Sequence, residues 1–149
     1  HALGMKIHAL RRRPSLSIDD PIVEKSFSPA QRVEMLAGVD YLLAAAPLTP
    51  ETRGLIGETE LRAMKSTSVI MNVGRGPVIV ESALIKALRE GWIRGAGLDV
   101  FDVEPLPEGH PFWTMENVLL SPLFTTQMLR KRSQPPMSVF TTFFSVSPT

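Results

Sequence analysis

The chain of 149 residues contains no cysteine. That absence excludes a disulfide framework, a thiolate metal site and a cysteine nucleophile, and is compatible with a reducing, cytoplasmic setting. Long apolar runs are missing too, since none approaches the roughly 18 residues needed to span a bilayer. The opening HALGMKIHAL lacks the cationic start and extended apolar stretch of a secretory signal, and begins on His1 instead of Met, which reads as an internal start. Charge of one sign is also lacking. Sixteen basic and fifteen acidic side chains leave a formal net charge of +1, which points to neither nucleic acid nor a membrane surface as partner. No internal repeat is visible.

What is present divides the chain in two. Residues 1–122 hold 13 basic and 15 acidic side chains, whereas 123–149 hold Arg130, Lys131 and Arg132 and no acid. The first part carries short β-rich runs separated by helical patterns, the signature of βαβ units and a mainly parallel sheet. The expected strands are 5–10, 39–45, 68–73, 95–100 and 117–121. Their apolar runs are nearly continuous, as suits strands covered on both faces. Ser28 and Pro29 predict the start of a helix over 29–37 that stops near Gly38. A second, short helix is expected over 58–65. Ala83, Leu84, Ala87 and Leu88 fall at helical spacing, and Gly91 follows the last turn of this third helix. Right-handed crossovers would then stack the strands into one doubly wound α/β sheet. From Leu123 the periodicity collapses into a stretch rich in Ser, Thr and Pro. It reads as a disordered tail, with a short strand around VFTTFF as the competing possibility.

In open α/β sheets the ligand crevice lies beyond the carboxyl ends of the strands. Four such exits carry unusual residues: Arg11, Arg12 and Arg13; then AAPLTPETRGLI; then NVGRGPV; then FDVEPLP. Singly, each has a bland explanation as a solvated loop, a turn or a surface carboxylate. Together and in this order they do not.

The stretch from VDYLLAAAPLTPETRGLIGETELRAMKSTSVIMNVGRGPVIVESALIKALREGWIRGAGLDVF to DVEPLPEGHPFWTMENVLLSP, residues 39–122, resembles the D-2-hydroxyacid dehydrogenase family, which includes glyoxylate and hydroxypyruvate reductases. GMKIHALRRRP is similar to the second strand of that family's dinucleotide-binding domain. The resemblance implies an incomplete Rossmann-like domain over 1–122. It also implies hydride transfer between a nicotinamide dinucleotide and a small 2-keto or 2-hydroxy acid, in a family whose members are often homodimers. By the same resemblance Arg75 is the arginine that grips the substrate carboxylate through two parallel hydrogen bonds. Pro47, Thr52, Val73 and Gly74 would line the nicotinamide end, Asp99 would meet its amide, and Glu104 would orient a catalytic histidine.

Four departures follow from the same comparison. The strand end that carries an acidic ribose reader in NAD enzymes offers Arg11, Arg12 and Arg13, which suit a 2′-phosphate and favour NADP. No G-x-G-x-x-G run occurs, and that motif and its helix N-terminus hold the pyrophosphate. Leu123 stands where the family's histidine follows Ser-Pro. His110 reads as structural and His8 lies within a strand, so neither replaces it. Val80 stands where the family has a capping aspartate. These 149 residues alone are therefore expected to be inactive. The alternative reading is a non-catalytic fragment that binds a partner through its sheet edge or basic tail.

Overall fold

The computed structural model describes residues 4–13 and 20–121. The expectations for Leu123 and for 123–149 lie outside the described residues. Among the described residues six strands and three α-helices follow in order: β1 Ile7–Leu10, β2 Val23–Phe27, α1 Arg32–Gly38, β3 Tyr41–Ala44, α2 Glu58–Ala63, β4 Val69–Asn72, α3 Glu81–Arg89, β5 Gly95–Leu98 and β6 Val118–Leu120. All pairings are parallel, as the βαβ pattern requires.

The expected single sheet is two ladders in this structure. β1 pairs only with β2, and β3-β4-β5-β6 form a four-stranded sheet. Among the described residues no strand joins β1 to β3. A doubly wound order of 3-2-1-4-5-6 without its strand 1 reduces to a pair and a separate run, which is the arrangement seen. The core is nevertheless continuous: Phe27 from β2 joins Leu36, Leu61, Ile70, Leu84 and Leu98, with Leu10 packed against the cluster.

β2 was not among the expected strands. Its sequence VEKSF places Glu24 and Lys25 on the surface and buries Phe27 alone, so its apolar signal is that of an edge strand. The helices match better. Expected residues 29–37 form a 3-10 turn at Pro29–Gln31 that runs into α1. The backbone N–H of Ser28 donates to Gln31 Oε1 (3.1 Å) at that start. α3 ends as its sequence indicates: Gly91 takes φ +70°, a conformation that side-chain-bearing residues rarely adopt. The Trp92 N–H then donates to Ala87 O (2.9 Å), closing the last turn. At its other end α3 starts at Val80 with no side-chain cap, as the missing aspartate implies.

One buried charge ties the helices together. Glu60 on α2 accepts from Arg32 Nε of α1 through Oε1 (2.8 Å) and from the Gly57 N–H through Oε2 (3.0 Å). Burial by itself would raise this carboxyl's pKa. The Gly57 N–H and the Arg32 guanidinium outweigh it and hold the group below its usual range.

Candidate functional site

Three strand exits of the four-stranded sheet are locked to one another by backbone contacts. The exit of β4 leans on that of β3, because the N–H groups of Val73 and Gly74 both donate to Ala44 O (3.1 Å each). A Cβ on Gly74 would lie 2.8 Å from Ala46 O, and one on Gly76 would overlap the backbone carbonyl of Phe101. Only glycine permits these approaches, so the two glycines around Arg75 seat its loop between its neighbours. The Asp99 N–H donates to Asn72 O (3.0 Å), which joins the exit of β5 to that of β4. Farther along the β3 exit, the N–H groups of Gly54 and Ile56 donate to Pro77 O (2.8 Å) and Val78 O (3.1 Å), and Ile56 O accepts from the Val80 N–H (2.9 Å).

Asn72 organises the loop from beneath. It is 2 % exposed. Its Nδ2 donates to Arg75 O (3.0 Å) and its Oδ1 accepts from the Gly74 N–H (3.2 Å). Sequence reasoning did not single it out. An asparagine immediately before a glycine-flanked turn was the available signal, since its side chain can hydrogen-bond its own backbone two residues on.

On this frame Arg75 is exposed, with Nη1 donating to Gly74 O (2.8 Å). No described carboxylate forms an ion pair with it. Val73 is exposed beside it. Asp99 has its Oδ1 buried without a hydrogen-bond partner among the described residues. Glu104 is exposed and holds its own loop, its Oε1 accepting from the Phe101 N–H (3.0 Å). Pro47 is exposed, and its carbonyl accepts from Thr52 Oγ1 (2.7 Å), which also accepts from the Thr49 N–H (2.7 Å). The Thr52 hydroxyl is thus occupied in shaping the loop.

A match to the family model for D-isomer specific 2-hydroxyacid dehydrogenase, NAD binding domain, covers residues 1–124. The chain belongs to this family. A glyoxylate reductase of Aeropyrum pernix is 44% identical over 125 residues, covering 81% of this chain and 35% of that protein. A D-isomer specific 2-hydroxyacid dehydrogenase from Xanthobacter autotrophicus Py2 superposes with a TM-score of 0.71 at 40% identity, covering 78% of this chain and 38% of the other. An NADPH-dependent glyoxylate/hydroxypyruvate reductase from Sinorhizobium meliloti, solved with NADP and sulfate, gives a TM-score of 0.70 at 31% identity, covering 81% and 39%. The chain therefore spans little more than a third of the length of these relatives.

In this D-isomer specific 2-hydroxyacid dehydrogenase domain Arg11, Arg12 and Arg13 follow β1 of the two-stranded sheet. Arg11 Nη2 pairs with Asp20 Oδ2 (2.9 Å). Arg12 and Arg13 are exposed. Arg12 lies near enough to Glu51 to help hold that carboxyl below its usual range, after the larger effect of the Thr49 hydroxyl. His110 is a packing residue: its Nδ1 accepts from the Phe112 N–H (3.3 Å), which leaves Nε2 to donate to Glu81 Oε1 (3.1 Å). His8 lies in β1 against the Phe27 ring. Among the described residues no group of His, Asp or Glu could hold a metal ion, and no helix is long and apolar enough to cross a membrane.

Proposed function

We propose that this chain supplies the cofactor-binding half of an enzyme that interconverts a small 2-keto acid and its 2-hydroxy acid, with NADP preferred over NAD. The observation that carries the reading is the buried Oδ1 of Asp99. A buried carboxylate oxygen without a donor costs on the order of 1–3 kcal/mol, and a ligand N–H such as that of the nicotinamide carboxamide would satisfy it. When bound, the dinucleotide supplies or accepts the hydride.

The chain's own groups have separate tasks in this reading. The Arg75 guanidinium, which has no ion-pair partner among the described residues, would bind the substrate carboxylate and lie beside the carbonyl that gains charge. Glycines at 74 and 76 fix its position without side chains of their own. Glu104, with Oε1 held by the Phe101 N–H and Oε2 without a hydrogen-bond partner among the described residues, would orient an acid/base through Oε2. Substrates such as glyoxylate or hydroxypyruvate fit the names of the relatives at 31% and 44% identity. The three arginines after β1, and the NADP bound to the Sinorhizobium relative, support the preference for a 2′-phosphate.

The test has two arms. Titrating the chain with NADPH, followed by ¹H–¹⁵N spectra, should perturb Val73, Gly74 and Asp99, and Asp99→Ala should remove those shifts. Shifts confined to other surfaces would overturn the site. These 149 residues carry no G-x-G-x-x-G run and have Leu123 at the histidine position, so NADPH with glyoxylate should show no oxidation above background over hours. An enlarged protein that supplies the glycine-rich segment, substrate domain and histidine should turn over. Arg75→Ala should then lower kcat by about 10²–10³-fold, the usual cost of one charge-stabilising donor.

A further inference from the structure

The three arginines after β1 are not an open basic patch, because acids face two of them. Asp20 lies just before β2, and its two oxygens are both engaged: Oδ2 accepts from Arg11 Nη2 (2.9 Å) and Oδ1 from the Ile22 N–H (3.1 Å). The Ile22 N–H, followed by Arg11, holds this carboxyl ionised below its usual range. Arg11 is fixed in turn by its backbone N–H, which donates to Phe27 O (2.9 Å) across the β1–β2 pair. The contact is half-buried, with side chains 38% and 26% exposed.

We propose that Asp20 is a specificity-determining residue that competes with a ligand 2′-phosphate for the Arg11 guanidinium and so weakens the chain's preference for NADP over NAD. This rests on the NADP reading above. A 2′-phosphate carries a charge of about −1.5 to −2 near neutral pH. At Arg11 it meets a carboxylate of the same sign that already holds one of the guanidinium's five N–H donors. A ribose with a free 2′-hydroxyl meets no such repulsion, and its hydroxyl can donate to a carboxylate. The charge on Asp20 therefore acts in opposite directions on the two cofactors. Arg12 and Arg13 remain for the phosphate, with Glu51 a second and more distant acid near Arg12.

The geometry supplies a clean probe. Asp20→Asn removes the charge and keeps an oxygen for the Ile22 N–H, so the turn into β2 is preserved. At low ionic strength one like charge a few ångströms from a phosphate in partly solvated surroundings is worth about three- to ten-fold in affinity. Adenosine 2′-monophosphate and adenosine 5′-monophosphate serve as ligands, titrated into the full 149-residue chain and its variants and followed by ¹H–¹⁵N spectra. Asp20→Asn should bind the 2′-monophosphate about three- to ten-fold more tightly than the unmodified chain, with no gain for the 5′-monophosphate. Asp20→Glu, which restores the charge, should return the affinity towards the starting value. If Asp20→Asn leaves 2′-monophosphate binding unchanged or weakens it while the unmodified chain still prefers that ligand, Asp20 serves Arg11 as a support. The competition is then overturned and the NADP reading stands. If neither protein distinguishes the two ligands, both readings fall together.

Discussion

In the four-stranded sheet Ile70, Ala96 and Leu98 are almost fully buried, whereas every residue of β1 is half-buried and β2 buries only Phe27. The two ladders share one hydrophobic cluster and the same parallel geometry, so strand type does not explain the difference. Position does. β4 and β5 have a hydrogen-bonded strand on each side, while β1 and β2 have one neighbour each. The candidate dinucleotide site is divided along the same line. Arg75, Asp99 and Glu104 extend from the well-packed ladder, and Arg11, Arg12 and Arg13 from the sparse one. In the proposed reading the residues assigned to the substrate are held by close backbone contacts, and Arg11, assigned to the ribose, by an ion pair with Asp20.

Burial at matched positions offers the largest test of that contrast. Ile70→Ala should destabilise the chain by about 2–5 kcal/mol, the usual cost of truncating a fully buried aliphatic side chain. Ile7→Ala, at a half-buried place in β1, should cost less than half as much. Urea unfolding of both variants would measure the two costs, and equal losses would dissolve the distinction between the ladders.

A comparable loss is expected from Gly76→Ala, which drives a methyl group into the Phe101 backbone carbonyl, so that one of the two loops must shift. Overpacking ordinarily costs about 1–3 kcal/mol, and a clash with backbone should cost at least that. The resonances of 74–76 and 101–104 should move together while those of β1 and β2 hold still. Movement in β1 would show that the two ladders are mechanically coupled.

Val80→Asp should act in the stabilising direction. It places an acceptor at the uncapped start of α3 and should raise stability by about 0.5–2 kcal/mol. Thermal unfolding would report the gain, and an unchanged midpoint would mean that these N–H groups are already well solvated.

The smallest effect concerns the exposed Asp102, whose carboxyl is pushed above its usual range by partial desolvation and then by Glu81, against an opposing pull from Arg53. A raised folded-state pKa means that the ionised form costs stability. The cost is absent below the unfolded-state value of about 3.9 and appears as pH rises through the folded-state value. Asp102→Asn should therefore raise the melting temperature slightly at pH 7, with the gain disappearing near pH 3.5. A gain that persists in acid would assign the effect to packing instead.

Much of the molecule was legible before any coordinates. The apolar runs in β3 to β6 could be read as strands, but the expected cover on both faces is not seen among the described residues. Leu43 and Leu119, in register through Met71 and Gly97, are 48% and 74% exposed on one face. Gly91 could be read because a helix end at positive φ favours glycine. β2 could not. An edge strand with Glu24 and Lys25 at its centre has the pattern of a loop, and only its pairing with β1 reveals it. Of the site, the residue types around Arg75 were visible as a motif. The buried Asn72 beneath it was not, because its importance lies in two hydrogen bonds to its own loop.

The sequence by itself determined the family, the alternation of strand and helix, and the residues at each strand exit, because these depend on local pattern and on order along the chain. Tertiary structure alone decided which exits meet. It set Gly76 against Phe101, left Arg75 without an acidic partner among the described residues, buried Asp99 Oδ1, and brought Asp20 to Arg11 across nine positions. The physical reason is that a side chain's charge and hydrogen-bonding capacity are properties of the residue. Whether they are already satisfied depends on neighbours that the fold assembles from distant parts of the chain.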